Sequence, residues 1–174
     1  MKKIALVLVL ALFLAVGSAF AQHPSGWGIG VLGQYGGEWS GGPGYGGIAL
    51  SLKTASSSIF WGINVHIDKP NFGFSLTGDR YIIDTIFVPG VNLGFYLSLG
   101  GYAGLGVAKN YFSLGFGARL PIGLYILPVE FLEVFAGFVP RLGVDFYLGK
   151  DAPDDIVDFP ATNWSVEFGI RIWL

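Results

Sequence analysis

The chain has 174 residues, of which only 13% are charged, 16% are aromatic and 28 are glycine. This composition is too apolar for an ordinary domain surrounded by water, and so much glycine disfavours long helices but suits strands joined by tight turns. Cysteine is absent, which excludes disulfides, thiolate metal sites, a cysteine nucleophile and a lipid-modified N-terminal cysteine.

The N-terminal segment has the three parts of a cleavable signal peptide. Two lysines follow the first methionine, residues 4–16 are apolar but too few to span a bilayer comfortably, and residues 19–21 read Ala-Phe-Ala, a cleavage site. We therefore predict a signal peptide at 1–21 and one mature domain at 22–174. The mature part carries 10 − 2 = 8 basic and 12 acidic residues, and a net charge of 8 − 12 = −4 disfavours a nucleic-acid partner.

Beyond the signal peptide, apolar residues alternate with small or polar ones at the two-residue period of β-strands. The clearest stretch is 112–126, in which one face is apolar and the other is small or polar. No uninterrupted run of 18 apolar residues occurs there, which disfavours membrane helices. In chain order we predict eight strands, at 27–35, 46–53, 58–67, 72–87, 91–106, 112–126, 132–147 and 164–174.

The fourth predicted strand changes phase along its length. The apolar residues of its first half, which ends at Leu76, keep one register, whereas Tyr81 and Ile83 take the other. An extra residue in one strand shifts the register of all that follows. We therefore predict a β-bulge near Gly78 and Asp79.

The links between the predicted strands indicate the topology. If the mature N-terminus is periplasmic, the even-numbered links are periplasmic turns and the odd-numbered links are extracellular. The even links are short and two of them carry the proline of a turn, whereas the first and last odd links are the longest. In chain order the links are 36–45, 54–57, 68–71, 88–90, 108–111, 127–129 and 149–163.

The charged residues within the strands share the register opposite the apolar face. An arginine facing lipid near mid-membrane costs about 2–4 kcal/mol, so we predict that this register faces a closed lumen. The predicted lumen charges are Lys53, Arg119, Glu133, Arg141, Asp145, Glu167 and Arg171. We expect Glu133 to pair with Arg141 or Arg171, and Glu167 with Arg119. The network is interpreted as a structural plug, with a polar conduit or gate as the alternative.

The sheet is predicted to close on itself. An open edge in hydrocarbon would leave backbone N–H and C=O groups unpaired, each at a cost of several kcal/mol. The predicted fold class is therefore all-β, a closed antiparallel up-and-down transmembrane β-barrel of about eight strands. Side chains can fill an interior of that size.

The C-terminal alternation resembles the terminal recognition signal of outer-membrane barrels. It comprises Trp164, Val166, Phe168, Ile170, Ile172 and Leu174. The family signal usually ends in Phe, where this chain has Leu. The resemblance implies that the barrel assembly machinery reads this segment during biogenesis.

The overall plan of residues 27–174 resembles the small bacterial outer-membrane barrels typified by OmpX, OmpW and the OmpA transmembrane domain. Stretches 118–124, 131–135 and 140–144 are also similar to the later strands of such domains. These families include structural proteins, adhesins, narrow channels and a few enzymes, so the resemblance implies a location more than an activity.

Gly28, Gly30 and Gly33 match the G-x-G-x-x-G spacing of dinucleotide-binding loops. A pyrophosphate site needs a strand before this motif and a helix after it, and the sequence predicts neither. We therefore interpret these glycines as small residues facing a crowded lumen.

His66, with Asp68 close by, is the one candidate for a catalytic base, as in barrels that modify lipids. No nucleophile signature such as G-x-S-x-G supports it. We expect instead a histidine in the lumen or at its rim that is hydrogen-bonded to its neighbours.

The segment 151–158 contains four aspartates and could hold a divalent cation. Its spacing does not match an EF-hand loop, so we interpret it as a solvated acidic loop.

From these features we expect a non-enzymatic integral outer-membrane protein with a structural or surface-interaction role and no cofactor. The alternative is a porin-like narrow channel for small solutes, and a lipid-modifying enzyme is third. Its expected partners are membrane lipids, the lipopolysaccharide or equivalent of the outer leaflet and, during biogenesis, the assembly machinery. A barrel of this size closes without a second chain, so we expect a monomer.

Overall fold

The computed structural model describes residues 23–41, 44–68, 71–150, 152 and 156–174. The predicted signal peptide and most of the aspartates in the acidic loop therefore lie outside the described residues. Among the residues that are described, no helix is long and apolar enough to cross a membrane.

Nearly all of the described chain is extended, as the alternating pattern predicts. Short turns join the strands, and one of them, Pro89–Val91, is a 3-10 turn. The strands are β1 (Gly28–Glu38), β2 (Tyr45–Lys53), β3 (Ile59–Asp68), β4 (Asn71–Val88), β5 (Leu93–Val107), β6 (Tyr111–Arg119), β7 (Ile122–Val129), β8 (Leu132–Gly149) and β9 (Val157–Trp173).

The strands form a closed antiparallel ring. Consecutive strands pair with each other, except for β6 and β7, and β1 pairs with β9 to close the ring. Both β6 and β7 lie between β5 and β8, so together they occupy a single position and the ring has eight. Pro121, which has no N–H, interrupts that position, yet its carbonyl accepts a hydrogen bond from the Ser98 N–H at 2.8 Å. The predicted all-β, up-and-down closed fold is confirmed.

The predicted bulge in β4 lies elsewhere. Pairing with β5 continues through Gly78 and Asp79, and the register shifts between Tyr81 and Ile83 and again near Val88. Tyr81 therefore stays on the inward face, where its ring stacks on Phe60 at 4.2 Å. The prediction near Gly78 and Asp79 was wrong because Tyr81, an amphipathic residue, was taken as part of the outer apolar set.

Three links differ from the predicted segments: two are shorter than predicted, and one lies further along the chain. β1 extends to Glu38, and β9 begins at Val157, which pairs with Phe146 of β8. Strand pairing thus takes up much of 36–45 and 149–163. β7 continues to Val129, so the turn predicted at 127–129 lies at residues 130–131.

The two faces of the wall differ in chemistry. The outward residues are large and apolar around the whole ring, and many are substantially exposed, including Val31, Ile48, Ile63, Phe74, Leu105, Phe116, Leu142 and Phe168. The inward face buries an aromatic core cluster and most of the strand charges, whereas Glu38, Arg80 and Asp158 are exposed. This is the reverse of a water-soluble barrel, which places its polar residues outside.

Candidate functional site

The lumen has two differently built ends. The end at which the described chain starts and finishes is packed with rings and paired charges, and we call it the closed end. The opposite end, at which β1, β3, β5 and β8 finish, contains an open cavity, and we call it the vestibule. Six of the seven predicted lumen charges are buried and Asp145 is half-buried at the vestibule.

An arginine and a glutamate form the base of the closed end. Arg171 Nη1 donates to both carboxylate oxygens of Glu133 at 2.8 Å, and Arg171 Nη2 donates to Ser51 Oγ at 3.0 Å. The indole N–H of Trp173 donates to Glu133 at 2.9 Å, and the Arg171 guanidinium lies 4.6 Å from the ring centroid of Phe60. Because each charge has close partners, this fully buried pair avoids much of the penalty of an unpaired charge.

His23, for which the sequence suggested no role, completes the closed end. Its Nδ1 lies 2.8 Å from Asp84 Oδ1 and its Nε2 lies 3.2 Å from Glu133 Oε1. Its backbone N–H donates to Asp84 at 3.0 Å, and its ring lies 4.0 Å from that of Tyr125. Burial lowers the pKa of His23, but the contacts with Asp84 and Glu133 outweigh it and raise the pKa above its usual value.

The position of His23 follows from how the chain enters the barrel. The N–H of Trp27 donates to the Leu174 carbonyl at 2.9 Å, and the N–H of Leu174 donates back to Trp27 at 2.8 Å. These bonds fix the position at which the wall begins. The described residues before Trp27, 23–26, then turn into the closed end of the lumen. The short distance between the predicted cleavage site and the first strand was the available signal for this plug.

A second charged layer crosses the middle of the lumen. Arg119 Nη2 donates to both oxygens of Glu167 at 2.9 and 3.0 Å, and its Nε lies 3.1 Å from Asp79 Oδ1. Arg141 Nη2 lies 3.4 Å from Glu167 and donates to Ser165 Oγ at 3.1 Å. Arg141 thus belongs to this layer, while Glu133 is held by Arg171. Asp79 was missed because the sequence analysis placed it in a bulge.

Lys53 lies apart from both acidic groups of the closed end. Its Nζ donates to the backbone carbonyls of Gly26 and Thr54, each at 3.3 Å, and lies 5.6 Å from the Trp173 ring centroid. It therefore caps the mouth through backbone oxygens and an aromatic face rather than through an ion pair.

The vestibule is a cavity of about 290 Å³. Its lining is rich in tyrosine, glycine and small polar residues: Tyr45, His66, Gly73, Ser75, Tyr102, Gly104, Gly106, Tyr111, Ser113, Gly115, Arg141, Asp145, Tyr147 and Asn163 are among the residues around it. The charged layer in the middle of the lumen forms the floor of this cavity, since Arg141 belongs to that layer and also lines the cavity. The space is therefore open at one end and closed by paired side chains at the other.

The hydrogen bonds around His66 do not present it as a base toward Ser75. Arg141 donates to Gln34 Oε1 at 3.3 Å, which leaves the Gln34 amide nitrogen to donate to His66 Nδ1 at 2.6 Å. Assigned from this network, the ring proton lies on Nε2 and is donated to Ser75 Oγ at 2.9 Å. His66 therefore offers Ser75 no lone pair with which to accept its proton. The side chain of Asp68, its expected neighbour, lies outside the described residues.

The glycines of the G-x-G-x-x-G match lie within β1, which pairs on both sides with other strands. A Cβ on Gly30 would lie 2.2 Å from the Ile170 carbonyl oxygen and 3.1 Å from the Arg171 Cβ. Gly28 and Gly30 thus make room for Arg171 in the lumen. Gly33 instead lies on the outward face with open space beside it, which corrects the expectation that all three face the lumen.

The outward residues of the predicted assembly signal form one continuous row along β9. Val166, Phe168, Ile170 and Ile172 are exposed, Leu174 follows them at the end of the chain, and Trp164 is partly covered. Phe168 is 60% exposed, so this row lies on the outer wall, opposite the register of Glu167 and Arg171.

Comparison with known proteins supports the fold. No protein-family model matches the chain, and a search of curated proteins finds no match. A crystal structure of Neisserial surface protein A is similar with a TM-score of 0.52 and 9% identity, covering 85% of this chain and 97% of that one. The N-terminal β-barrel domain of Pseudomonas aeruginosa OprF gives a TM-score of 0.43 and 14% identity over 83% and 96% of the two chains. The chain therefore shares the barrel fold of Neisserial surface protein A.

Proposed function

We propose that this chain is a non-enzymatic integral protein of a bacterial outer membrane, with a closed lumen and a structural or surface-interaction role. The observation that carries the proposal is the distribution of side chains across the wall. Large apolar residues cover most of the outside of the closed ring, whereas most of the charged strand residues are buried inside it and Arg80 is an exposed exception. Hydrocarbon is the surrounding that this arrangement fits, and the closed ring exposes no unpaired strand edge to it.

The predicted signal peptide supports export, and the termini indicate orientation. The described chain starts and finishes at the closed end, which would be periplasmic, so the vestibule would open to the outside. Membrane lipid and the outer leaflet would contact the wall. The row from Trp164 to Leu174 would be read by the barrel assembly machinery. Because one chain closes the ring, we propose a monomer.

The packing of the lumen favours a plugged barrel over a channel. His23, Tyr125 and Trp173 fill the closed end, and a second layer containing Arg119 and Glu167 crosses the middle. A solute would have to break buried ion pairs in both layers to pass. The proton arrangement at His66 supports a non-enzymatic role.

The proposal is tested by refolding the mature chain from Gln22 onward into phospholipid vesicles. We expect a heat-dependent gel shift, which reports folding, together with no release of a trapped small solute. Size-limited release by the folded protein would replace the plugged barrel with a narrow channel. A stable, water-soluble monomer in the absence of detergent or lipid would contradict the membrane location.

A further inference from the structure

We propose that the vestibule binds a neutral sugar ring, presented as a free saccharide or as the terminal unit of a glycan. This proposal depends on the proposed function in one respect, which is that the vestibule opens to the outside. The vestibule's volume of about 290 Å³ lies just below the usual range of small-molecule pockets, roughly 300–1,000 Å³. That space suits one or two small rings.

The aromatic lining suits the two kinds of surface on a sugar. Tyr111 and Tyr147 form an edge-to-face pair with centroids 6.3 Å apart, and Tyr45 and His66 form another at 5.5 Å. Such rings offer apolar faces for the C–H side of a pyranose and polar tips for its hydroxyls. Ser113 adds a further small hydroxyl to the same cavity.

Two polar atoms at the cavity lack a partner. Among the described residues, neither the buried hydroxyl of Tyr102 nor the Nε of Arg141 has a hydrogen-bond partner. The two groups are neighbours, since the Arg141 guanidinium lies 5.8 Å from the Tyr102 ring centroid. Both atoms are covered by the surrounding protein. Leaving a buried polar group unsatisfied costs about 1–3 kcal/mol, and a ligand hydroxyl can supply the missing partner once a small rotation of either side chain exposes the atom. An acyl chain could not, because it has neither donors nor acceptors.

The charges around the cavity favour a neutral ligand over an anion. Arg141 is offset by Glu167 at 3.4 Å, and the carboxylate of Asp145 lies in the cavity wall. Among the described residues, this end of the barrel carries the acidic side chains Glu38, Asp145 and Asp158 and the basic side chains Lys109 and Lys150. A phosphate or carboxylate would approach against this excess of negative charge.

Binding is measured on the mature chain refolded in an amine-oxide detergent, since alkyl glycoside detergents would themselves present sugars. Saturation-transfer NMR and calorimetry are run with glucose, N-acetylglucosamine and maltose, and with glucuronate and glucose 6-phosphate as anionic counterparts. We expect at least one neutral sugar to bind and its anionic counterpart to bind at least tenfold more weakly. Methyl glucoside distinguishes the sources, because it mimics the terminal unit of a glycan and lacks a free reducing end.

Two variants and one matched control locate the site. Ser113→Trp fills the cavity and should abolish binding, whereas Leu114→Trp makes a similar enlargement on the outward face and should leave it unchanged. Tyr102→Phe removes only the unpaired hydroxyl and should weaken binding about fivefold, which corresponds to about 1 kcal/mol.

Wild-type protein that binds none of these neutral sugars, or Ser113→Trp protein that binds as well as wild type, would overturn the proposal. The gel shift is recorded for every sample. Loss of binding in a folded barrel counts against the site alone, whereas a chain that fails to fold in both detergent and vesicles counts against the membrane barrel itself.

Discussion

The two ends of the lumen share one ring of strands but differ in what their inward positions hold. At the closed end these positions hold large side chains, and Tyr125 is only 1% exposed. At the vestibule many are glycine or serine, such as Gly104 and Ser113, and a cavity remains. A barrel of eight strands has one approximate width. Side-chain volume along the strands therefore decides whether the lumen is solid or hollow.

Glycine has a different role at each end. A Cβ on Gly94 would lie 2.2 Å from the ring of Tyr125, which is held in place by Asp84 at 2.7 Å. Gly94 thus makes room for a large neighbour, and no space is left. A Cβ on Gly104 would instead lie 3.1 Å from the Ser75 Cβ, beside the cavity. At these two positions the neighbour of the glycine differs, a large ring at the closed end and a small side chain beside the cavity.

The largest difference between the two ends is expected from removing a carboxylate charge. Glu133→Gln leaves Arg171 buried without its counter-charge and should lower the free energy of unfolding by about 3–5 kcal/mol. Asp145→Asn in the vestibule, where the carboxylate is partly solvated, should cost less than about 1 kcal/mol. Urea unfolding in lipid vesicles measures both. Equal losses would remove the distinction between the ends.

An added arginine should separate the vestibule from the outer wall. Phe168→Arg places a charge on the apolar face and should destabilise the folded barrel in lipid by about 2–4 kcal/mol. Ser113→Arg places the same charge in a cavity open to water and should cost less than about 1 kcal/mol. Folding yields and urea midpoints in vesicles give the comparison, with Phe168→Leu as the control for lost aromatic area. A tolerated Phe168→Arg would contradict the assignment of the faces.

The smallest of these effects is a pH dependence confined to the closed end. The folded pKa of His23 is raised, while the unfolded value is about 6.5. Its contribution to stability is therefore complete below that pH and is lost as the pH rises through the folded pKa. His23→Leu should remove this decline and cost about 1–3 kcal/mol at low pH by leaving Asp84 and Glu133 short of a partner. Unfolding curves across this range measure it, and an unchanged slope in the variant would exclude His23 as its source.

The inward and outward faces of the wall could be predicted from the sequence, because the alternating pattern that determines them is local. A period of two over nine or more residues fixes which side chains lie inside, and this assigned the lumen register. The pairing of Glu133 needed the strand register as well. Glu133 lies directly opposite Arg171 on β9, whereas Arg141 is eight residues further along β8, roughly 26 Å away at 3.3 Å per residue.

The plug could not be predicted in the same way. His23 precedes the first strand, in a segment with no periodicity, and contacts Asp84, which is 61 positions away. The vestibule was also missed, because the sequence analysis expected side chains to fill an interior of this width. Whether glycines leave a cavity depends on which residues face them across the barrel, and that follows from register and not from composition.

The absence of cysteine allows a direct test of a lumen that is open at one end and sealed across its middle. Single cysteines at Ser113, in the vestibule, and at Ser98, which is fully buried beside the middle layer, are treated with an uncharged water-soluble thiol reagent in folded, vesicle-inserted protein. We predict rapid labelling of Ser113→Cys and none of Ser98→Cys until the barrel is unfolded. Labelling of both positions at similar rates would show a water-filled lumen and contradict the sealed barrel.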